Sequence, residues 1–308
     1  MYRYIARRLL LAIPVIVGVS IAAFSMMHLI PGDPALAMLR GQPQVTDADV
    51  QRVREQLGLN DPVPVQYLKY VSRAVQGDFG RSVQTRRPVL SDLAAQAPST
   101  IELALAAMAL AVTLGIVLGV ISALHQNTWV DTLAMLGALF GVSMPSFWFG
   151  LILIFVFALK LGWLPATGQG GPERLVLPAL ALGMDFSAVT ARLVRANLIE
   201  VLVADYVRTA RAKGLAQSVV MLRHALRNAM IPSITIIGLQ VGTLLGGAVV
   251  VETVFARQGI GRLLVSAILA QDFPVVQAIV LMAAVVYVLL NLVVDLAYAM
   301  FDPRIRYA

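Results

Sequence analysis

Asp185, Glu252 and Asp295 are carboxylates that lie in or beside stretches apolar enough to cross a bilayer. An ionised side chain at the bilayer centre costs about 2.5–3.5 kcal/mol on insertion scales. Each acid therefore needs a cavity, a partner or a position near the interface. Two kinds of chemistry answer that need. One is a polar pathway where the acid meets the amines or amides of a passing solute, and the other is hydrogen bonding between helices. Glu252, near the outer end of its stretch, needs the least explanation. A proton relay lacks a second member, since no histidine or further acid completes one on the same helix. Enzyme constellations are absent as well. His28, His125 and His224 are scattered, with no H-E-x-x-H among them, and no serine sits in G-x-S-x-G. Cysteine is missing altogether, which removes thiol nucleophiles, thiolate metal sites and disulfides.

These acids have to be carried by membrane helices. Of 308 residues, 59% are hydrophobic and only 13% charged, with a mean hydropathy of +0.80. Soluble domains average nearer 25% charged. Six runs come close to the roughly 20 apolar residues that a spanning helix needs: Leu9–Ile30, Thr100–Leu124, Leu133–Leu161, Leu175–Leu193, Ile231–Phe255 and Val275–Phe301. The fourth is the weakest, because Asp185 interrupts it. The fold class is thus an all-α integral membrane protein with six transmembrane helices in a single domain over 1–308. The first run is too long for a signal-peptide core and no small-residue cleavage site follows it, so it reads as an uncleaved anchor.

Short basic flanks orient such a chain. Arg3, Arg7 and Arg8 precede the first span, and Arg304 and Arg306 follow the last. Arg195, Arg208, Arg211, Lys213, Arg223 and Arg227 fill the loop between spans four and five. Six crossings put all three clusters on one side, with both termini cytoplasmic. That distribution also explains the net charge of +7 without invoking nucleic acid.

The segment 31–97, between spans one and two, is then exterior. Its charges nearly cancel, and two short surface helices are predicted in it. Thr46 caps the first, in which Val50, Val53 and Leu57 share a face, and Gly58 ends it. Pro62 and Pro64 break the chain before Tyr67, Leu68, Val71 and Val75. A further helix, too short to span, is predicted within Arg257–Gln271, dipping into the outer face.

Within the spans, Gly238, Gly242 and Gly246 repeat at four-residue spacing, as do Gly115 and Gly119. Small residues so placed let helix backbones approach closely, either inside this chain or against a partner. Pro145 inside span three removes a ladder hydrogen bond and predicts a kink.

The loop 194–230 holds the stretch DYVRTARAKGLAQSVVMLRHALRN, Asp205–Asn228. Asp205 is placed to cap a helix that Gly214 stops. Val207, Ala210 and Gly214 share one face, small and nearly flat, with Arg208, Arg211 and Lys213 at its rim. Such a helix fits closely into a groove on another protein; simple positive-inside charge on a surface helix explains the same residues.

This stretch resembles the cytoplasmic coupling loop of binding-protein-dependent ABC importer permeases. Their pattern is Glu-Ala-Ala, three residues, Gly, nine residues, then Ile-x-Leu-Pro. Here Arg208-Thr209-Ala210 stands in the first position, Gly214 and Leu226 match, and His224 and Arg227 replace Ile and Pro. The wording YVRTARAKG and LRHALRNA is similar to the dipeptide/oligopeptide branch. The same resemblance runs through PGDP (Pro31–Pro34), LGLNDPVPVQY (Leu57–Tyr67), GDFGRS (Gly77–Ser82), VSMPSFWFG (Val142–Gly150), VVETVF (Val250–Phe255) and FDPRIR (Phe301–Arg306), so it covers essentially the whole chain.

The resemblance implies a type I ABC importer permease in the bacterial inner membrane, importing short peptides. It implies a second, homologous permease, two ATPase subunits and an extracytoplasmic binding protein as partners. Tyr206, Val207, Arg208, Ala210, Arg211, Lys213, Gly214 and Leu215 would form the ATPase-docking helix. Asp185, Gly238, Gly242, Gly246, Glu252 and Asp295 would serve the pathway or helix packing, span five lying near the partner permease. The family implies that Arg257–Gln271 faces the binding protein. It implies no cofactor on this chain, with ATP and Mg held by the ATPases. This agrees with the absence of G-x-x-x-x-G-K-[ST] and of any lysine preceded by glycine. Glutathione, a nickel complex or another small solute is the alternative cargo. A gradient-driven secondary transporter is the rival class, for which matching inverted halves are missing; a membrane-bound hydrolase is the third.

Overall fold

The computed structural model describes residues 2–29, 33, 35, 36, 39 and 45–301. Arg304, Arg306 and the motif Pro31–Pro34, apart from Asp33, lie outside them. Among the described residues there is no strand, only an isolated antiparallel bridge between Arg81 and Pro88. The helices are α1 (Tyr2–Leu29), α2 (Asp47–Leu57), α3 (Val63–Val75), α4 (Val89–Leu124) and α5 (Trp129–Ser143). Then come α6 (Ser146–Lys160), α7 (Glu173–Leu202), α8 (Asp205–Ala212), α9 (Gln217–Val254), α10 (Ile260–Leu269) and α11 (Phe273–Phe301). The later turns of α6 and the early turns of α9 are π-helical.

Five helices, α1, α4, α7, α9 and α11, are long and apolar enough to cross a membrane; α5 and α6 make a sixth span if taken together. Those two meet at 110°. The expected proline kink is therefore a full break. Met144 is extended, and Pro145 sits at the N-cap of α6 rather than inside a helix.

The chain divides into two compact units, Met1–Ser99 with Gly259–Leu289, and Thr100–Gln258 with Leu290–Ala308. In the first, the Thr46 hydroxyl accepts from the Asp49 N–H while the Asp49 carboxylate takes the Thr46 N–H, a reciprocal cap at the start of α2. The same contacts hold the Asp49 carboxyl below its usual range. Gly58, with φ of +66°, ends α2 as predicted. Pro62 and Pro64 do not merely interrupt the chain; they start α3, where a missing N–H is harmless. Val50 and Val53 pack with Met27, Ala35 and Phe273. Ser82 donates to the buried Asp272 carboxylate at 2.5 Å, just ahead of α11.

In the second unit α7 is the inner helix. Over half of its most apolar window is buried, against about a fifth for α4. Small residues let its neighbours close in. A Cβ at Gly115 would lie 2.6 Å from the Thr190 Cβ, and one at Gly119 would lie 2.7 Å from the Ala191 oxygen. Gly183 of α7 approaches the Ala107 oxygen in the same way. Because α7 is surrounded by protein, it tolerates the polar residues that weakened its sequence signal.

Candidate functional site

Helix α8 lies in the short connection between α7 and α9. Its N-cap is Ala204, in extended backbone, with no side-chain cap. Asp205 is thus the first helical residue rather than the cap, and it favours the helix N-terminus through the dipole alone. Gly214 stops the helix as predicted. Its φ is +74°, its N–H donates to the Arg211 oxygen, and the Leu215 N–H closes onto Ala210. A Cβ at Gly214 would meet nothing within 4 Å, so backbone conformation is what demands glycine there. Gly214→Val should cost about 1–3 kcal/mol of local stability. Protease susceptibility of the Ala212–Gln217 turn should rise while α7 and α9 keep their helicity.

Two members of the small stripe, Val207 and Ala210, face this chain's own interior, while Gly214 lies exposed past the end of the helix. Val207 is fully buried and Ala210 nearly so, packed with Ala123, Leu198, Val220, Met221 and Ala225. Small side chains let α8 seat against its own chain, burying about as much apolar surface as their size allows. Tyr206, Arg208, Arg211, Lys213 and Leu215 remain exposed. The outward surface is therefore a basic face with a tyrosine and a leucine on it.

Two turns before the end of α7, a polar clamp appears that the sequence did not reveal. Arg195 Nε and Nη2 both donate to the Asp131 carboxylate, each at 2.7 Å. Ser122 also donates to that carboxylate, as does the Asn127 N–H at 3.0 Å. Asp131 is buried. The fork ties the α4–α5 turn to α7 with every carboxylate oxygen engaged. Arg195, counted in the sequence as part of the loop's positive charge, is thus committed to an internal partner. The local signal was an aspartate in the first turn of an apolar helix, which Asn127 and Ser122 satisfy from nearby in sequence and Arg195 completes from 64 residues away.

The acids in the spans have separate surroundings. Asp185 is half-buried on α7 and lines a cavity of about 270 Å³ with Phe140, Gly141, Met144, Ser146 and Phe149. This cavity lies at the α5–α6 break, and its wall is otherwise almost wholly apolar. Glu252 is fully buried and accepts from the Thr100 hydroxyl at 2.6 Å. Its place near a span end, which called for the least explanation in the sequence, thus comes with a buried hydrogen-bond partner. Close by in sequence, the buried Arg257 donates to Glu102 at 2.9 Å. The side chain of Asp295 lies outside the described residues.

The span-five glycines separate by face. A Cβ at Gly238 would lie 2.5 Å from a Val294 methyl of α11, and Gly242 is buried. Gly246 is exposed, and a Cβ there would meet nothing within 4 Å. It lies on an open stripe with Leu239, Thr243, Val250 and Thr253, at spacings of three and four residues. A stripe half made of Thr and Gly is a poor lipid face and a good helix-packing or solute-facing one.

The chain is thus a multi-pass helical membrane protein, with a short basic helix exposed between two spans and a single acid at an otherwise apolar break in another. Residues 115–307 match the family described as binding-protein-dependent transport system inner membrane component, and residues 1–104 match its N-terminal membrane component. The chain belongs to this family. It is 46% identical over 307 residues to the glutathione transport system permease protein GsiC of Escherichia coli K12, with all of both chains covered. It is 43% identical over 335 residues to the dipeptide transport system permease protein DppB of Alkalihalophilus pseudofirmus, again with full coverage. A crystal structure of an amino acid ABC transporter with histidines shares the fold, at a TM-score of 0.51 and 16% identity. That likeness covers 70% of this chain and 94% of the other.

Proposed function

We propose that this chain is the non-hydrolysing permease subunit of a bacterial inner-membrane ABC importer that carries short peptides, including glutathione. An extracytoplasmic binding protein delivers the solute to the side bearing 31–97. A second, homologous permease completes the pathway, with the Gly246 stripe of α9 toward it. Two ATPase subunits, which hold ATP and Mg, dock on the loop 194–230, and both termini share their side of the membrane. The observation that carries the reading is full-length similarity at 43–46% identity to permeases named for glutathione and for dipeptides.

The geometry supplies a route for force. The exposed basic face of α8 meets the ATPase, and its buried Val207–Ala210 face transmits displacement to α7 and α9. The Asp131–Arg195 clamp makes the α4–α5 turn follow α7. On this reading the residues in contact with the ATPase are Tyr206, Arg208, Arg211, Lys213 and Leu215, whereas Val207, Ala210 and Gly214 shape and seat the helix. Asp185 offers a carboxylate to a solute amine at the α5–α6 break.

The test is ATPase activity of the complete complex in nanodiscs with its binding protein, measured across glutathione, di- and tripeptides, nickel complexes and sugars. Stimulation several-fold above the unliganded rate by glutathione or a short peptide alone is expected. Stimulation only by a non-peptide solute would refute the cargo. Uptake by the isolated chain under an ion gradient without ATP would refute the mechanism.

A further inference from the structure

Helix α3 reads in sequence as one of two short surface helices, and it packs along the side of α1. The Tyr67 hydroxyl lies 2.8 Å from Ser20 Oγ. The Phe24 ring meets Tyr67 edge-on with centroids 5.5 Å apart and lies tilted 5.9 Å from Tyr70. His28 Nε2 lies 3.2 Å from the Gln66 amide oxygen. The contacts run along α1 from residue 20 to residue 28.

The span length of α1 fixes what those registers mean. From Leu9 to Leu29 the helix rises about 30 Å, the thickness of a hydrocarbon core. Phe24 then lies roughly 8 Å below the Leu29 edge, and Ser20 deeper still. Were α3 wholly in water, residues 20–29 of α1 would be in water too. Only Leu9–Val19, about 16 Å of helix, would remain to span about 30 Å. Sliding α1 to compensate would draw Arg7 and Arg8 into the hydrocarbon.

The free face of α3 has the composition that this depth requires. Val65, Leu68, Ser72 and Val75 follow one another at i, i+3, i+7 and i+10, all exposed, with Leu68 at 66% and Val75 at 82%. Ser72, the one polar member, donates its hydroxyl to the Lys69 oxygen at 3.2 Å and so carries no unsatisfied donor. The opposite face holds its polar groups on protein. Gln66 donates to the Leu59 and Asp61 oxygens; the Tyr70 hydroxyl is the exception, buried with no hydrogen-bond partner among the described residues, and burial pushes its phenol up to about 12. Lys69 and Arg73 flank the apolar stripe, where long stems can reach a headgroup layer.

We infer that α3 is an interfacial helix, lying beside α1 with its Val65–Leu68–Val75 face in the acyl region of the leaflet at the Leu29 end. Such helices bury an apolar face about 5–10 Å into the headgroup and acyl boundary, the depth that Phe24 reports. The inference rests only on α1 crossing the bilayer and not on the cargo. Its consequence is that the exterior segment is held at a fixed height on the membrane.

The absence of cysteine makes the test direct. Single variants Leu68→Cys and Val65→Cys carry a nitroxide in the assembled transporter, in nanodiscs of phosphatidylethanolamine and phosphatidylglycerol. Leu10→Cys on α1 serves as the lipid reference and Arg52→Cys on α2 as the aqueous one. Collision with dissolved oxygen should exceed collision with a water-soluble nickel chelate at both α3 sites, as at Leu10. Nickel-dominated relaxation as at Arg52 would overturn the inference. Shielding from both reagents would do the same, by showing that a protein partner covers the face.

Discussion

Replacing Arg195 with alanine should be among the most damaging single changes in the chain. It would leave the Asp131 carboxylate buried with its two best donors gone. Breaking a buried ion pair by removing one member costs about 3–5 kcal/mol. Arg195 keeps about a quarter of its side chain exposed, so water entering the gap holds the loss toward the lower figure. Thermal unfolding of the detergent-solubilised complex should shift down accordingly, with the α4–α5 turn opening first in hydrogen exchange. The double replacement Asp131→Leu with Arg195→Met separates stability from coupling. Apolar pairs of similar volume often restore or exceed the stability of a buried ion pair, so the double variant should regain most of the lost unfolding temperature. If the clamp makes the α4–α5 turn follow α7, that stable variant should still hydrolyse ATP with solute transport reduced several-fold. Normal transport in it would leave the clamp with a structural role only.

The clamp also marks where the sequence stops being legible. The apolar runs were readable because lipid imposes its composition on every turn of a span, and the C-terminal end of α9 and both ends of α11 follow from that, whereas α9 begins at Gln217, well before its apolar run. The ends of α2 were readable because Thr46 and Gly58 act through the backbone next to them, although the reciprocal Asp49 contact came only with the structure. Asp131 and Arg195 are 64 positions apart, and Thr100 and Glu252 are 152 apart. No local pattern links such pairs; only the close approach of packed helices does. Pro145 announced a lost hydrogen bond, but the 110° turn depends on Met144 adopting extended backbone as well. Burial explains α7, whose Asp185 made it look like the poorest span. A helix surrounded by others need not be apolar on every face.

Helix α8 shows a subtler limit. The sequence establishes that Val207, Ala210 and Gly214 share a face and that the face is small, yet a small face suits a partner's groove and the chain's own interior equally well. Burial decides for the interior, and the substitutions that test docking change with it. Ala210→Trp would overpack the seat of α8, at about 1–3 kcal/mol, and would disturb any partner contact only by way of misfolding. The informative variant is Arg208→Glu with Arg211→Glu. Both side chains are exposed and Arg208 has only a 3.9 Å pair with a fully exposed Asp205. Exposed substitutions usually stay within about 0.5 kcal/mol, so unfolding of the permease should be nearly unchanged. Reversed charges set against an interface shaped for a basic one cost up to several kcal/mol. Association with the ATPase, read by co-purification and by solute-stimulated hydrolysis, should weaken on the order of tenfold to a hundredfold, about 1.4–2.8 kcal/mol. High salt should weaken the wild-type association in the same direction. Full co-purification and full stimulation in the double variant would mean that the exposed face of α8 is not where the ATPase binds. Since its other face is already occupied by Leu198, Val220 and Ala225, docking would then have to move off this helix altogether.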